Sequence, residues 1–323
     1  MVRESGARTT GYAALAMTVV LWSSFALSSR AIGTSSLTDA DAALIRFLVP
    51  LVVLAPLAPR TVRALARERT TTLLLLLAGG LPHYLVMALG AGLTNAGLTG
   101  LLVPGTVPLF VTLLLARRQR VPARGLLALG AIVAGILASA TLVGTDGGAT
   151  GVVLLVSAGG IWAFYTLGLQ RTGLAPLEVV VTVCAISALG GLVLALTGAV
   201  PSHLLTSPGE VRVGDVLGFV VLQGIGTGLL STLCYVHAVR VLGSSVAAVG
   251  GALSPVLTAL AAVPLFGETL GGGMVVALAL VVAGVHVFNR TPPVPRTTGA
   301  AWPTARGPLP APVALIHAAE ARP

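Results

Sequence analysis

Residues 11–30 read GYAALAMTVVLWSSFALSSR and residues 151–171 read GVVLLVSAGGIWAFYTLGLQR. In each stretch a glycine precedes a tryptophan by eleven residues, Gly11 before Trp22 and Gly151 before Trp162, and each ends on an arginine, Arg30 or Arg171. Each is about 20 residues of nearly uncharged sequence, the length a helix needs to cross roughly 30 Å of hydrocarbon. Recurrence of such a segment halfway along a chain marks an internal repeat.

The remainder of the chain has the same character. Of 323 residues, 55% are apolar and 9% charged, and the mean hydropathy is +0.98. A soluble domain carries about 25% charge, so this composition belongs in a bilayer and excludes a water-soluble enzyme. The ruler of about 20 residues finds ten candidate spans, at 11–30, 39–59, 71–91, 95–116, 124–144, 151–170, 176–199, 215–240, 244–266 and 270–289. Gly92, Asn95 and Gly97 mark the turn between the third and fourth. Arg3 and Arg8 before the first run imitate a signal peptide, but the run is too long for one and reads as a retained span.

All 19 basic residues are arginine, against 10 acidic ones, for a net charge of +9. The arginines cluster between apolar runs, so they report orientation and not nucleic-acid binding. With a cytoplasmic N-terminus, 16 of the 19 fall on the inner side, only Arg30 and Arg212 fall outside, and Asp39, Asp41, Asp146, Glu210, Asp215 and Glu268 lie at or near the outer face. Both termini are then inside. Arginine without lysine, beside abundant Ala, Gly, Val and Leu, suits a GC-rich bacterial source, and hence the bacterial inner membrane. Residues 1–10 form a cytoplasmic N-terminus. The tail, 290–323, holds eight prolines among its last 33 residues and is expected to be disordered in the cytoplasm. Residues 200–214, the longest outer connection, read as a connector or as a cover for a cavity mouth.

Five spans is an odd number, so the second copy enters the membrane from the opposite side. The fold expected is all-α and integral to the membrane: ten transmembrane helices in two five-helix inverted-topology repeats, 11–144 and 151–289, with function where they meet. Gly- or Pro-interrupted helices at matched positions point to that place: Pro104, Gly105 and Pro108 against Gly250, Gly251 and Pro255. Pro108 and Pro255 are expected to kink their helices.

The remaining candidates for a substrate site follow from cost. Arg46 is a charge well inside a span, so it faces the protein interior; it reads as a carboxylate-binding group, as a partner of Asp41, or as a cap on helix carbonyls. Trp22 and Trp162, at matched mid-span positions, line a cavity or fill space, with Ser24 beside the first and Tyr165 one turn beyond the second. His83 and Tyr84, after Gly79-Gly80-Leu81-Pro82, and Tyr235 and His237 put titratable rings within the membrane, as proton carriers or structural groups. Gln223, Thr227 and Ser231 form a polar face that lines an aqueous path or bonds a neighbouring helix. Cys184 and Cys234 lie in apolar runs and suit small core positions, not a disulfide or metal site. No cofactor is expected, and no ATP-binding or hydrolase motif occurs.

Trp22-Ser23-Ser24-Phe25, Arg46-Phe47, Pro108-Leu109, Trp162-Ala163-Phe164-Tyr165, Ser254-Pro255-Val256 and Phe266-Gly267-Glu268, in that order and spacing over 11–289, resemble the EamA family of the drug/metabolite transporter superfamily. The resemblance implies a ten-helix permease for small metabolites, often amino acids or amphiphilic compounds, usually exported through a central cavity shared by both halves. The fourth span departs from the family, which ends it on Gly-Glu or similar; here it runs Ala116-Arg117-Arg118-Gln119-Arg120, and only Glu268 matches. An intramembrane enzyme and a channel-like protein are the rival readings. The expected partners are a small-molecule substrate and the lipid bilayer, with no nucleic acid, and the chain is expected to act as a monomer, a homodimer being the alternative. On this reading Trp162→Ala impairs transport while membrane abundance stays near wild type; transport equal to wild type removes Trp162 from the site.

Overall fold

Backbone in lipid has no water to bond, so its N–H and C=O groups must pair within helices or a closed barrel. The computed structural model, which describes residues 2–117, 119–140, 148–242, 251, 253–291 and 294–295, is built of helices. In chain order they are α1 (Val2–Ala31), α2 (Asp39–Val53), α3 (Ala58–Leu65), α4 (Thr70–Ala78), α5 (Leu81–Gly92), α6 (Ala96–Leu115) and α7 (Ala123–Ala140). Then follow α8 (Gly148–Arg171), α9 (Pro176–Leu196), α10 (His203–Thr206), α11 (Val213–Phe219), a π-helix (Val220–Leu230), α12 (Ser231–Leu242), α13 (Ser254–Phe266) and α14 (Gly272–Asn289). One short antiparallel ladder pairs Gln119–Arg120 with Val294–Pro295. Asp146, Gly250 and the tail beyond Pro295, with its expected disorder, lie outside the described residues.

Against the ten spans read from hydropathy, seven helical runs among the described residues are long and apolar enough to cross a membrane. A bent pair, α2 with Ala55–Leu65, makes an eighth, and α7 and α13 are shorter apolar helices. Val52, Leu127 and Leu113, 72%, 75% and 69% exposed, show that the outside of the bundle is apolar, as lipid contact requires.

Several boundaries differ from the sequence expectation, each for a local reason. The second span is not straight: after Val53 the chain turns through 65°, where Pro56 and Pro59 withhold two backbone donors. The third breaks at Gly79-Gly80. There the Leu81 N–H is met by Ser187 Oγ at 3.0 Å, and a Cβ on Gly80 would collide with the same hydroxyl. The eighth carries the π-helix, in which Thr227 Oγ1 donates to Leu222 O, five residues back, at 2.9 Å. The kink expected at Pro255 turns on residues 243–250 and 252, which lie outside the described residues. Pro255 occupies the first turn of α13, where no N–H is needed. Helix α1 already runs from Val2, and the apolar stretch long enough to cross a membrane begins at Arg8.

Helix α1 packs on α12, the π-helix and α13, and α8 packs on α4, α5 and α6; α2 lies against α9, α6 against α13, and α7 against α14. Close approach depends on small residues. A Cβ on Gly159 of α8 would overlap Thr106 and the Val103 carbonyl of α6.

Buried carboxylates tie the ends of this bundle. Asp41, third residue of α2, accepts from Thr38 N–H (3.0 Å) and, across the fold, from Ser202 Oγ (2.5 Å), His203 N–H (3.0 Å) and Leu204 N–H (3.2 Å). Glu178, near the start of α9, accepts from Ala175 N–H (2.8 Å) and from Arg60 Nε (2.9 Å). Each carboxylate thus caps its own helix and grips the segment that follows the C-terminus of the facing helix. Beside them Asp215 accepts from Ser36 N–H and Oγ, both at 2.7 Å, and Glu68 from Gly173 N–H at 2.6 Å and Thr172 Oγ1 at 3.1 Å. Residues 200–214, whose role the sequence left open, are docked by these contacts at the α2 N-terminal end. A further tie comes from Phe266-Gly267-Glu268. Gly267 adopts the left-handed conformation (φ +68°) that closes α13, and this turn aims Glu268 at Ala96 N–H (2.9 Å) and at Arg30 Nε (4.0 Å).

Removing Asp41 strands buried donors, each worth about 1–3 kcal/mol. Asp41→Ala is therefore expected to lower the thermal unfolding temperature of the detergent-purified protein well beyond Asp39→Ala. Equal shifts would mean that the Asp41 network contributes no stability.

Candidate functional site

The break at Gly79-Gly80, the widened π-helix and the start of α13 all border one cavity of about 500 Å³ in the middle of the bundle. Its wall draws on both halves of the chain, with Trp22, Phe25, Arg46, His83, Thr99 and Pro104 from the first and Trp162, Tyr165, Cys184, Thr227, Tyr235 and Pro255 from the second. The volume is in the range that small-molecule sites occupy, about 300–1,000 Å³.

Arg46 stands midway along α2, which ends at Val53. It does not pair with Asp41, whose oxygens are taken up at the end of the bundle. Instead Arg46 Nη1 donates to Gln223 Oε1 at 2.7 Å, and its guanidinium carbon lies 4.3 Å from the centroid of the Phe25 ring. Gln223 is fully buried. Its Nε2 donates to Ser28 Oγ at 2.7 Å and Ser29 Oγ at 3.2 Å, so the amide joins α1, α2 and the π-helix. The π-helix comes this near to α2 because Gly224 and Gly228 meet Val49 and Pro50, where a Cβ on either would overlap.

The aromatic groups form two clusters. Trp22 stacks on Tyr235 at 5.1 Å between ring centroids, while Trp162 lies 4.8 Å from His83 and 4.9 Å from Tyr165. His83 Nδ1 donates to the Ala158 carbonyl at 3.0 Å, which fixes its ring. Gly79 and Gly251 leave room for Tyr165 and Trp22, respectively. Along the π-helix and α12, Thr227 and Ser231 reach the cavity while each bonds a backbone carbonyl of its own helix.

Of the candidate residues read from sequence, Trp22, Arg46, His83, Trp162, Tyr165, Tyr235 and Pro255 line the cavity. Ser24, Tyr84 and Pro108 do not. Ser24 Oγ turns back onto Leu21 O, and Tyr84 is buried against Phe47 beneath Arg46. In α6 it is Pro104, one turn earlier than Pro108, that reaches the wall. His237 lies away from the cavity, beside Thr10 Oγ1 at 3.2 Å. Sequence reasoning missed Phe25, Thr99 and the cavity position of Cys184; only Phe25, within the Trp-Ser-Ser-Phe motif, carried a signal. Among the described residues no group of His, Cys, Asp and Glu is arranged to hold a metal.

Gln223→Leu keeps the volume of residue 223 but leaves Arg46, Ser28 and Ser29 without their shared partner. Losing a buried hydrogen bond to a charged group costs about 1.5–3 kcal/mol, so the variant is expected to unfold at a lower temperature than wild type. An unchanged unfolding temperature would show that the amide does not anchor Arg46.

No curated protein matches this chain. A solved crystal structure, described only as that of a protein, shares 23% identity with it, with a TM-score of 0.55 over 87% of this chain and 95% of the other; the likeness is one of fold. Residues 149–290 match the EamA-like transporter family, while the first half, which carries the Trp-Ser-Ser-Phe and Arg-Phe motifs, lies outside that match. The likeness to the EamA-like transporter family is thus one of the second half of the chain, residues 149–290, within a fold of apolar helices around a central cavity.

Proposed function

We propose that the chain is a secondary transporter that moves a small metabolite, an amino acid or an amphiphilic compound, outward across a bacterial inner membrane by alternating access. The observation that carries this reading is the cavity in the middle of the bundle, walled by both halves of the chain and lined by aromatic side chains around one guanidinium. The substrate then binds where the halves meet, and rocking of one half against the other exposes it to each side in turn.

Two five-helix repeats, 11–144 and 151–289, of opposite orientation underlie that motion. The packing supports them. Pairing α1 with α8, α2 with α9, α4 and α5 with the π-helix and α12, α6 with α13, and α7 with α14 maps the α1–α12 contact onto α8 with α4 and α5, and α1–α13 onto α8–α6. The same exchange turns Trp22 on Tyr235 into Trp162 on His83, and Asp41 into Glu178. The ten-span count follows if α7 and α13 complete their crossings. Arginine asymmetry supports cytoplasmic termini, with the Pro-rich tail inside. One chain holds both repeats, so a monomer suffices.

Untargeted mass spectrometry of the medium tests the reading, comparing cells that express the protein with an empty vector and with a Trp22→Ala/Trp162→Ala variant at matched abundance. A metabolite enriched only with the intact protein is the expected result. Equal media in all three, across hosts and feeding conditions, would overturn export.

A further inference from the structure

The charge inventory of the cavity is narrow. Among the described lining residues Arg46 is the one side chain charged at every physiological pH, and no Asp or Glu faces it. Other carboxylates of the described residues are engaged elsewhere, Asp41, Asp215, Glu68 and Glu178 on the ends of the α2–α9 pair and Glu268 on the α6 N-terminus, and Asp39, at the start of α2, is not part of the cavity wall. Among the described residues Gln223 is the sole hydrogen-bond partner of the guanidinium, and no carboxylate lies within ion-pair distance. One edge of the guanidinium is thus held by a neutral amide and one face lies on Phe25. Tyr84 and Phe47 lie beneath the guanidinium, their ring centroids 5.8 and 6.0 Å from its carbon, and Arg46 also borders the cavity.

Resting on the transporter reading, we infer that the cavity selects amphiphilic monocarboxylates, a single carboxylate on Arg46 and an apolar or aromatic body between the Trp22–Tyr235 and Trp162–Tyr165 pairs, over zwitterionic amino acids, amines and dianions. The reason is neutrality. A charge brought out of water into an apolar bundle costs several kcal/mol unless it is matched. One carboxylate brings the site to zero net charge and satisfies the fork of the guanidinium in bidentate fashion. The ammonium of an amino acid adds a charge for which the described wall holds no acid. Stacking on a ring returns only about 0.5–2 kcal/mol of that cost. An amine repeats the sign already present, and a dianion leaves one negative charge over. The wall of the site is mostly apolar and aromatic, which suits a body of phenyl or medium-chain alkyl size and not a sugar.

The test is a matched series on the full-length protein in detergent, read by quenching of tryptophan fluorescence. The ligands are 3-phenylpropionate, phenylalanine, phenethylamine and 3-phenylpropionamide, which share one skeleton with different charges, with octanoate as a second carboxylate. Saturable binding of the two carboxylates, at least tenfold tighter than the other three, is expected. Arg46→Gln should bring 3-phenylpropionate to the level of its amide and leave the amide unchanged. Arg46→Lys, which keeps the charge and loses the fork, should retain part of the preference and serves if the first variant does not fold. Folded protein that fails to bind either carboxylate saturably, that binds phenylalanine or phenethylamine as tightly, or that keeps its preference in Arg46→Gln overturns the inference. Counterflow of labelled 3-phenylpropionate and phenylalanine into proteoliposomes at pH 8 separates the two readings. Carboxylate binding without counterflow would leave this selectivity standing and remove the carrier. Phenylalanine counterflow indifferent to Arg46→Gln would leave the carrier standing and remove the selectivity.

Discussion

Arg46 cannot shed its proton, and the lipid around the bundle offers nothing to neutralise it. The chain therefore has to build an environment for one guanidinium, and much of the interior can be traced to that need. Gln223 supplies the acceptor, Ser28 and Ser29 hold the amide, and Phe25 covers a face of the cation. The amide reaches Arg46 because glycines of the π-helix lie directly on α2, and the wider coil of that segment puts Gln223 inward while Thr227 and Ser231 reach the cavity. Widened helical turns recur at functional sites in other proteins for the same geometric reason.

The ends of the bundle answer a different constraint. Helix termini leave N–H groups unpaired, and at these depths a carboxylate is the strongest acceptor available. Asp41 and Glu178 each cap a helix and hold the chain beyond its antiparallel neighbour, so α2 and α9 are clasped at both ends, about 30 Å apart for a helix of some 20 residues. Spending the acids there keeps them out of the cavity wall. The cavity keeps its positive character as a consequence, which couples the architecture of the ends to the chemistry of the centre.

Much of this is legible in the amino-acid sequence. Membrane residence, the helical class, the inward bias of Arg46, and the matched tryptophans follow from hydropathy, the cost of buried charge and the repeated spacing of Gly11–Trp22 and Gly151–Trp162. The Phe266-Gly267-Glu268 motif is visible as a pattern. Its purpose, a left-handed turn that aims a carboxylate at the start of α6, is not. Span lengths are less legible. A hydropathy window averages over Gly79-Gly80 and over the prolines after Val53, so it cannot see a break whose backbone groups are satisfied by a distant side chain such as Ser187.

Local chemistry alone settled that the chain is a set of apolar helices with few charges inside, because a bilayer tolerates only helices and closed barrels, apolar runs of about 20 residues suit helices, and the penalty on charge acts residue by residue. Which side chains share a wall was left to tertiary packing. Pro104 and Pro108 are equivalent as letters, as are Tyr84 and Tyr165, yet one of each pair meets the cavity and the other does not. That outcome depends on the rotation of each helix about its axis, set by where glycines let neighbours approach and where carboxylates pin the ends. Rotation is a property of contacts between segments far apart in the chain, and no periodicity within a single segment encodes it.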